Sequence, residues 1–276
     1  MCVNIGIDIG GSTTKIVATE EREGELKLYA PIFVRAADPM TSLYGAFGKF
    51  TDTNGLALSD VRKVMVTGVG AGCLKKPLYS LSCQRVSEFE SIGLGGLYLT
   101  GLDRAIIVSL GTGTANVYAE RGKVSEYLGG TGVGGGTLIG LSKLLLGMDN
   151  VQHVHELALT GNLNNIDLRV MDISTKESFP EMPMDITASN FGNISDIAER
   201  ADMALGVFNM VFETIATISI FAARSKGTKD IVLTGNLTGF EICHRIFENL
   251  GKIFGVNFYI PEYSRFATVI GAALQA

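Results

Sequence analysis

Tryptophan is absent, cysteine is rare, and no long run of basic residues occurs in the chain. The missing tryptophan decides nothing. The four cysteines, Cys2, Cys73, Cys83 and Cys243, are scattered without a C-x-x-C pair in a chain of 276 residues, too large to need disulfide staples. That pattern argues against structural zinc and fits reduced thiols in a cytoplasm. Acids and bases interleave to a formal net charge of -5, so no concentrated positive face is offered to a nucleic-acid backbone. Low-complexity tracts and Gly/Ser linkers are missing too. Met1 runs directly into an apolar strand-like segment, with no basic n-region or cleavage site, so export is not expected. The most lipid-like segment, Met203 to Arg224, carries Asn209, Glu213 and several hydroxyls, which favour a buried or dimer-forming helix over a membrane span.

What is present is an α/β chain with a balance of 46% hydrophobic and 18% charged residues, long enough for two lobes. We expect an N-terminal lobe over 1–104 and a C-terminal lobe over 105–276, with the last helix able to pack back on the first lobe. "VNIGIDIG" and "TKIVATE" are rich in β-branched residues and flank "GGST", the chemistry of a tight hairpin. "ELKLYAPIFVR" reads as a third strand. "DPMTSLYGAFGKF" reads as a helix, "VRKVMVTGVGAG" as a strand entering a glycine-rich bend, and "RVSEFESIGLGGLYL" as a second helix. The pattern then repeats. "AIIVSLGTGTANVYAERGKVSEYLG" again gives strand, Gly/Thr turn, strand, turn, strand, so two related halves are expected. The remainder is helical, interrupted by strands at "DIVLTGN" and "NFYI".

The first hairpin suggests phosphate chemistry. Its backbone N–H groups, on Gly10 and Gly11, can approach an anion closely, and Ser12, Thr13 and Thr14 add uncharged donors. Asp8 at the strand end could hold Mg²⁺ directly or through water, and Lys15 would bring positive charge to the outer phosphates. An ordinary hairpin with a solvated lysine satisfies the same residues. The second turn, with Gly111, Thr112, Gly113 and Thr114, shifts the balance, because two facing hairpins make a phosphate clamp. Downstream, Gly130, Thr131, Gly134, Gly135, Gly136 and Thr137 lead into an apolar helix and would place amides and hydroxyls near phosphate or acceptor. Gly235 and Asn236, ending an apolar strand, make a bend suited to adenine. The histidines, His153, His155 and His244, offer no third ligand and no metal site.

The paired turns, with Asp8 in the first, resemble the actin and sugar-kinase superfamily, in which ATP sits between two ribonuclease-H-like lobes. "GGTGVGGGTLIGL", "NNIDLRV", "ASNFG", "LTGNL" and the closing "FATVIGAAL", together with "GGSTTK", look like the type II pantothenate kinases along nearly the whole chain. That resemblance implies phosphorylation of pantothenate to 4'-phosphopantothenate, at the start of coenzyme A synthesis, with ATP and Mg²⁺. It also implies Asp8 near the metal and a homodimer joined through the long helix from about Asp202 to Ser225. It assigns the catalytic base to Glu88 in "RVSEFES", whereas spacing alone does not choose between Glu88 and Glu90. Two departures stand out: Ser109 replaces an acid that often opens the second turn, and Tyr127 replaces an arginine that faces substrate in many members. The alternatives are an ATPase activator of a radical dehydratase, echoed by "GIDIG" and "VTGVGAG", and a sugar kinase.

Overall fold

The computed structural model describes residues 2–10, 13–35, 38–175 and 183–276. The chain opens with β1 (Val3–Ile9) and β2 (Thr13–Arg22), an antiparallel hairpin that pairs Asp8 with Lys15 and is closed by the Gly10 amide donating to Thr13 O at 2.8 Å. The expected single third strand is two: β3 (Glu25–Leu28) and β4 (Ile32–Arg35) both pair with β2. Between the two registers, Tyr29, Ala30 and Pro31 face only Val17 and Ala18. The extra residue and the missing Pro31 N–H bend the edge strand there.

Helix α1 (Pro39–Asn54) starts where the Asp38 carboxylate accepts the Thr41 amide at 2.6 Å, an N-cap that satisfies one orphan donor. The helix carries the chain over to β5 (Val61–Thr67), parallel to β1, the kind of crossover connection that parallel pairing needs. Strand β6 (Cys83–Arg85) extends the sheet by three residues too few to show a period in sequence, and Ser87 then caps α2 (Glu88–Thr100).

The second half repeats this order. Strands β7 (Arg104–Leu110), β8 (Thr114–Glu120) and β9 (Glu126–Thr131) form a meander, followed by α3 (Gly135–Leu146), α4 (Val151–Ala158), the short β10 (Leu168–Arg169), α5 (Val170–Ile173) and β11 (Thr187–Ser189). Then come α6 (Arg200–Ser225), β12 (Asp230–Thr234), α7 (Glu241–Phe254), β13 (Asn257–Tyr259) and α8 (Ala267–Ala273). The first sheet runs β3-β2-β1-β5-β6, with β4 also on β2, and the second runs β13-β12-β7-β8-β9. Apart from β4, which has no counterpart in the second sheet, the two share one topology.

Helix α6 is, among the described residues, the one helix long and apolar enough to cross a membrane. Most of it is packed instead, with Phe208, Val211, Phe212 and Ile215 fully buried in the core of the second half against α3, α4 and α7. Helices α2 and α8 are exchanged between the halves. Helix α2 follows the first sheet and packs on β7, β8 and β12, whereas α8 follows the second and packs on β1, β2 and β5. They cross each other at glycines: a Cβ on Gly271 would strike the Ser91 carbonyl, and one on Gly95 the Ala267 carbonyl.

Candidate active site

The hairpin end of the first sheet meets the 3-10 turn after β5 and that of the second meets the turn after β12, and the charged groups Asp8, Lys15, Glu88 and Arg265 influence one another at this junction. Asp8 ends β1, with Lys15 opposite it on β2 and Thr67 opposite it on β5. Successive strand residues alternate faces, so Asp8 and Lys15 share the face that also carries Gly6 and Val17, toward α8. Lys15 is only 7% exposed and makes no ion pair among the described residues. Burial pushes its ammonium pKa down; Asp8 pulls it up, and the charge of Arg265 pushes it down further. Burial likewise raises the Asp8 carboxyl, with Lys15 opposing. Two buried ionisable groups whose pKa values are displaced toward neutrality mark a candidate functional site.

Glu88 is the first residue of α2, and its pKa is raised by burial and then by the negative charge of Asp8, which places the two carboxyls in one electrostatic neighbourhood. Glu90 is elsewhere. Its Oε2 accepts the Ser125 amide at 2.7 Å, tying α2 to the loop before β9. Of the two acids that spacing left open, Glu88 feels the Asp8 charge, whereas Glu90 is engaged by the Ser125 amide. Beside it, the Phe89 ring stacks on Tyr127 of β9 with centroids 4.1 Å apart and planes 14° apart.

The remaining residues singled out in sequence divide into those at the junction and those that support it. Gly11 and Ser12 lie outside the described residues. Gly10 and Thr13 close the first hairpin, but the Thr14 hydroxyl points the other way, accepting from Ser42 of α1 at 2.9 Å. In the second hairpin the Gly111 amide donates to Gly113 O, and exposed Thr112 forms the tip. Thr114 donates to Val133 O at 2.8 Å. The glycine loop is engaged with that hairpin. Gly135 N donates to Gly111 O and Gly136 N to Thr112 O, each at 2.9 Å, while Gly134 N reaches Thr137 Oγ1. Thr137 donates to Gly132 O, and Thr131 Oγ1 accepts from Val133 N. A Cβ on Gly130 would meet the Thr114 carbonyl. The amides of Gly135 and Gly136, expected near an anion, thus donate to carbonyls of the second hairpin and brace it.

Gly235, at φ +96°, turns the chain after β12, and the Asn236 Oδ1 is buried with no hydrogen-bond partner among the described residues. Gly68, at φ +89°, does the same after β5, where a Cβ would collide with the Asp8 carboxylate and with Ile9 O. Thr67 Oγ1 beside it is also buried, with no partner among the described residues. Sequence reading passed over Thr67 and Gly68, yet the signal was there: "VTG" and "LTG" end equivalent strands, with Thr67 and Thr234 in equivalent registers. Ser109 and Ala115 hold the positions in the second sheet that Asp8 and Lys15 hold in the first, so the second hairpin pair brings no charge of its own to the junction.

The motifs "NNIDLRV" and "ASNFG" fold as a brace. Asp167 accepts the Phe191 amide at 2.8 Å and Asn209 Nδ2 at 2.9 Å, while Glu213 of α6 accepts from Thr187 and Asn190. No group of three or more metal-ligating side chains occurs among the described residues.

A family model described as Fumble matches residues 104–247, more than half of the chain. The type II pantothenate kinase of Staphylococcus saprophyticus is 29% identical over 280 residues, covering 98% of this chain and 99% of that protein. The enzyme of the same name from Staphylococcus aureus is 29% identical over 281 residues, with 98% of each chain covered. Among solved structures, the activator of the 2-hydroxyisocaproyl-CoA dehydratase from Clostridium difficile, with bound ADPNP, superposes at a TM-score of 0.68 with 16% identity, over 99% of this chain and 94% of that one. A ROK family glucokinase from Streptomyces griseus, in complex with glucose and AMPPNP, gives 0.61 and 14% over 99% of each chain. At those identities the structures establish the fold alone, that of actin-like ATPases and ROK sugar kinases. With the matched segment spanning over half its length, the chain belongs to the Fumble family, the family of type II pantothenate kinases.

Proposed function

We propose that the protein phosphorylates pantothenate at its primary hydroxyl, using ATP and yielding 4'-phosphopantothenate and ADP. The observation that carries this reading is the joint placement of Glu88, Asp8 and Lys15 in one junction, with the pKa of each displaced by burial. Phosphoryl transfer needs little more than a positioned hydroxyl, an acceptor for its proton and positive charge on the moving group. Glu88 accepts the proton as the hydroxyl oxygen bonds to the γ-phosphorus and the bond to the ADP oxygen breaks. Its raised pKa makes it a stronger base than a solvated glutamate. Lys15 and the backbone of the two hairpins, with Gly10, Thr13, Gly111, Thr112 and Gly113, hold the phosphates, and Gly235 with Asn236 lies beside the adenine.

Asp8 suits Mg²⁺: one carboxylate, cradled by Gly68, next to the unpartnered Thr67 hydroxyl, matches an ion that takes few protein ligands and keeps its waters. When bound there, the ion would neutralise charge on the phosphates. The Phe89–Tyr127 stack next to Glu88 gives the acceptor's carbon chain an apolar wall. We place the lobe boundary between residues 104 and 105 and assign the protein to the cytoplasm. We also propose a homodimer, joined through the stripe of α6 that the chain's own core leaves uncovered, where Phe221 is 59% exposed.

The test is ADP release by purified protein with ATP and Mg²⁺ against pantothenate, glucose, N-acetylglucosamine and no acceptor. Turnover is expected with pantothenate alone. Phosphorylation of the sugars while pantothenate is ignored would replace the reading with a sugar kinase, and an iron-containing brown protein with acceptor-independent ATPase would replace it with a dehydratase activator.

A further inference from the structure

At the edge of the junction opposite Glu88, three cations, Lys15, Arg35 and Arg265, gather around Phe33, with the Asp8 carboxylate across the strand from Lys15. Glu88 follows β6, one edge of the first sheet; the other edge is β4, where Phe33 pairs with Lys15. Arg265, in the 3-10 turn just before α8, sets its guanidinium carbon 5.6 Å from the Phe33 ring centroid, and Arg35 sets its own at the same distance. The stem of Arg265 lies along Gly239, where an added Cβ would sit 3.4 Å from its Cδ. Gly239 ends the turn Asn236–Gly239 that follows β12. A side chain from the second half is thus laid across the adenine-side turn onto a strand of the first half. Among the described residues none of Lys15, Arg35 and Arg265 forms an ion pair. Asp8 offsets one of these charges; the excess positive charge that remains becomes favourable when a further anion lies among them.

We propose that Arg265 is a nucleotide ligand, its guanidinium held by Phe33 so that it binds the α- and β-phosphates of ATP alongside Lys15. The inference rests on the reading of this junction as an ATP site. A planar fork can take two phosphate oxygens at once, which a lysine cannot, and stacking on an aromatic ring fixes its plane before the ligand arrives.

The test is titration calorimetry on the full chain with ATP, ADP and adenosine, comparing wild type with Arg265→Ala, Arg265→Lys and Phe33→Ala. Loss of a charge-assisted contact predicts ATP and ADP binding weakened about tenfold or more in Arg265→Ala, with adenosine binding unchanged. Arg265→Lys recovers part of that loss, and Phe33→Ala shows a smaller loss with the same pattern. Unchanged ADP affinity in Arg265→Ala overturns the proposal. So does an equal loss for adenosine, which would make Arg265 a latch between the halves. If Arg265→Ala does not fold, Arg265→Lys carries the test, and ADP affinity equal to wild type overturns it. Only nucleotide binding is read, so failure to phosphorylate pantothenate counts against the acceptor assignment and not against Arg265. Wild-type protein that binds no ATP overturns both.

Discussion

Glu88 serves as a base only when ionised, and both burial and the Asp8 charge hold its pKa above the ordinary value of 4.5. The kcat/KM profile is therefore expected to fall on the acid side through a midpoint above that value, measured by ADP release across pH. Glu88→Gln should keep ATP binding and lower kcat by about 10²- to 10⁴-fold, the usual worth of a positioned proton acceptor; normal turnover would remove its assigned role. His155 makes a separate pH prediction. It is buried against Phe208 and Phe240 with neither ring nitrogen partnered among the described residues, and burial lowers its pKa from 6.5. Below about pH 6.5 the unfolded chain takes up a proton that the native state refuses, so stability declines as pH falls through that value toward the lower folded pKa. Melting temperatures of His155→Leu should fall less than those of wild type between pH 7 and pH 5. Much of this was legible in sequence: Asp8, Lys15 and the two Gly/Thr turns declare themselves by composition and order. Arg265 did not, because an arginine between a tyrosine and an apolar helix has no period or motif, and only the fold brings it to Phe33.

At the scale of elements, the strands and long helices were readable because their apolar periods are regular and their ends carry Asp38, Ser87 and glycine caps. Strands β6, β10 and β11 were not, since two or three residues show no period and their pairing is set by tertiary context. The glycine loop before α3 illustrates a subtler limit: its sequence has the composition of an anion cradle, yet its amides go to the carbonyls of Gly111 and Thr112. Glycines also differ by what surrounds them. Gly271→Ala drives a methyl group into the Ser91 carbonyl, and separating α2 from α8 should cost about 1–3 kcal/mol or more. Gly140→Ala, in α3 with nothing within 4 Å, should be neutral or stabilising by up to about 1 kcal/mol. Thermal denaturation of the two variants checks the contrast, and a stable Gly271→Ala would refute the close crossing.

For the whole molecule, the uncovered stripe of α6 sets the expectation of self-association. Phe221→Asp should convert a dimer to a monomer in sedimentation equilibrium, with little effect on the buried side of the helix; an unchanged dimer would place the interface elsewhere. The exchange of α2 and α8 has its own consequence. Because each half is roofed by a helix that the other half's stretch of chain supplies, neither can be excised as a self-sufficient fragment. The same few small residues at the crossing of those two helices therefore set the cohesion of the whole molecule.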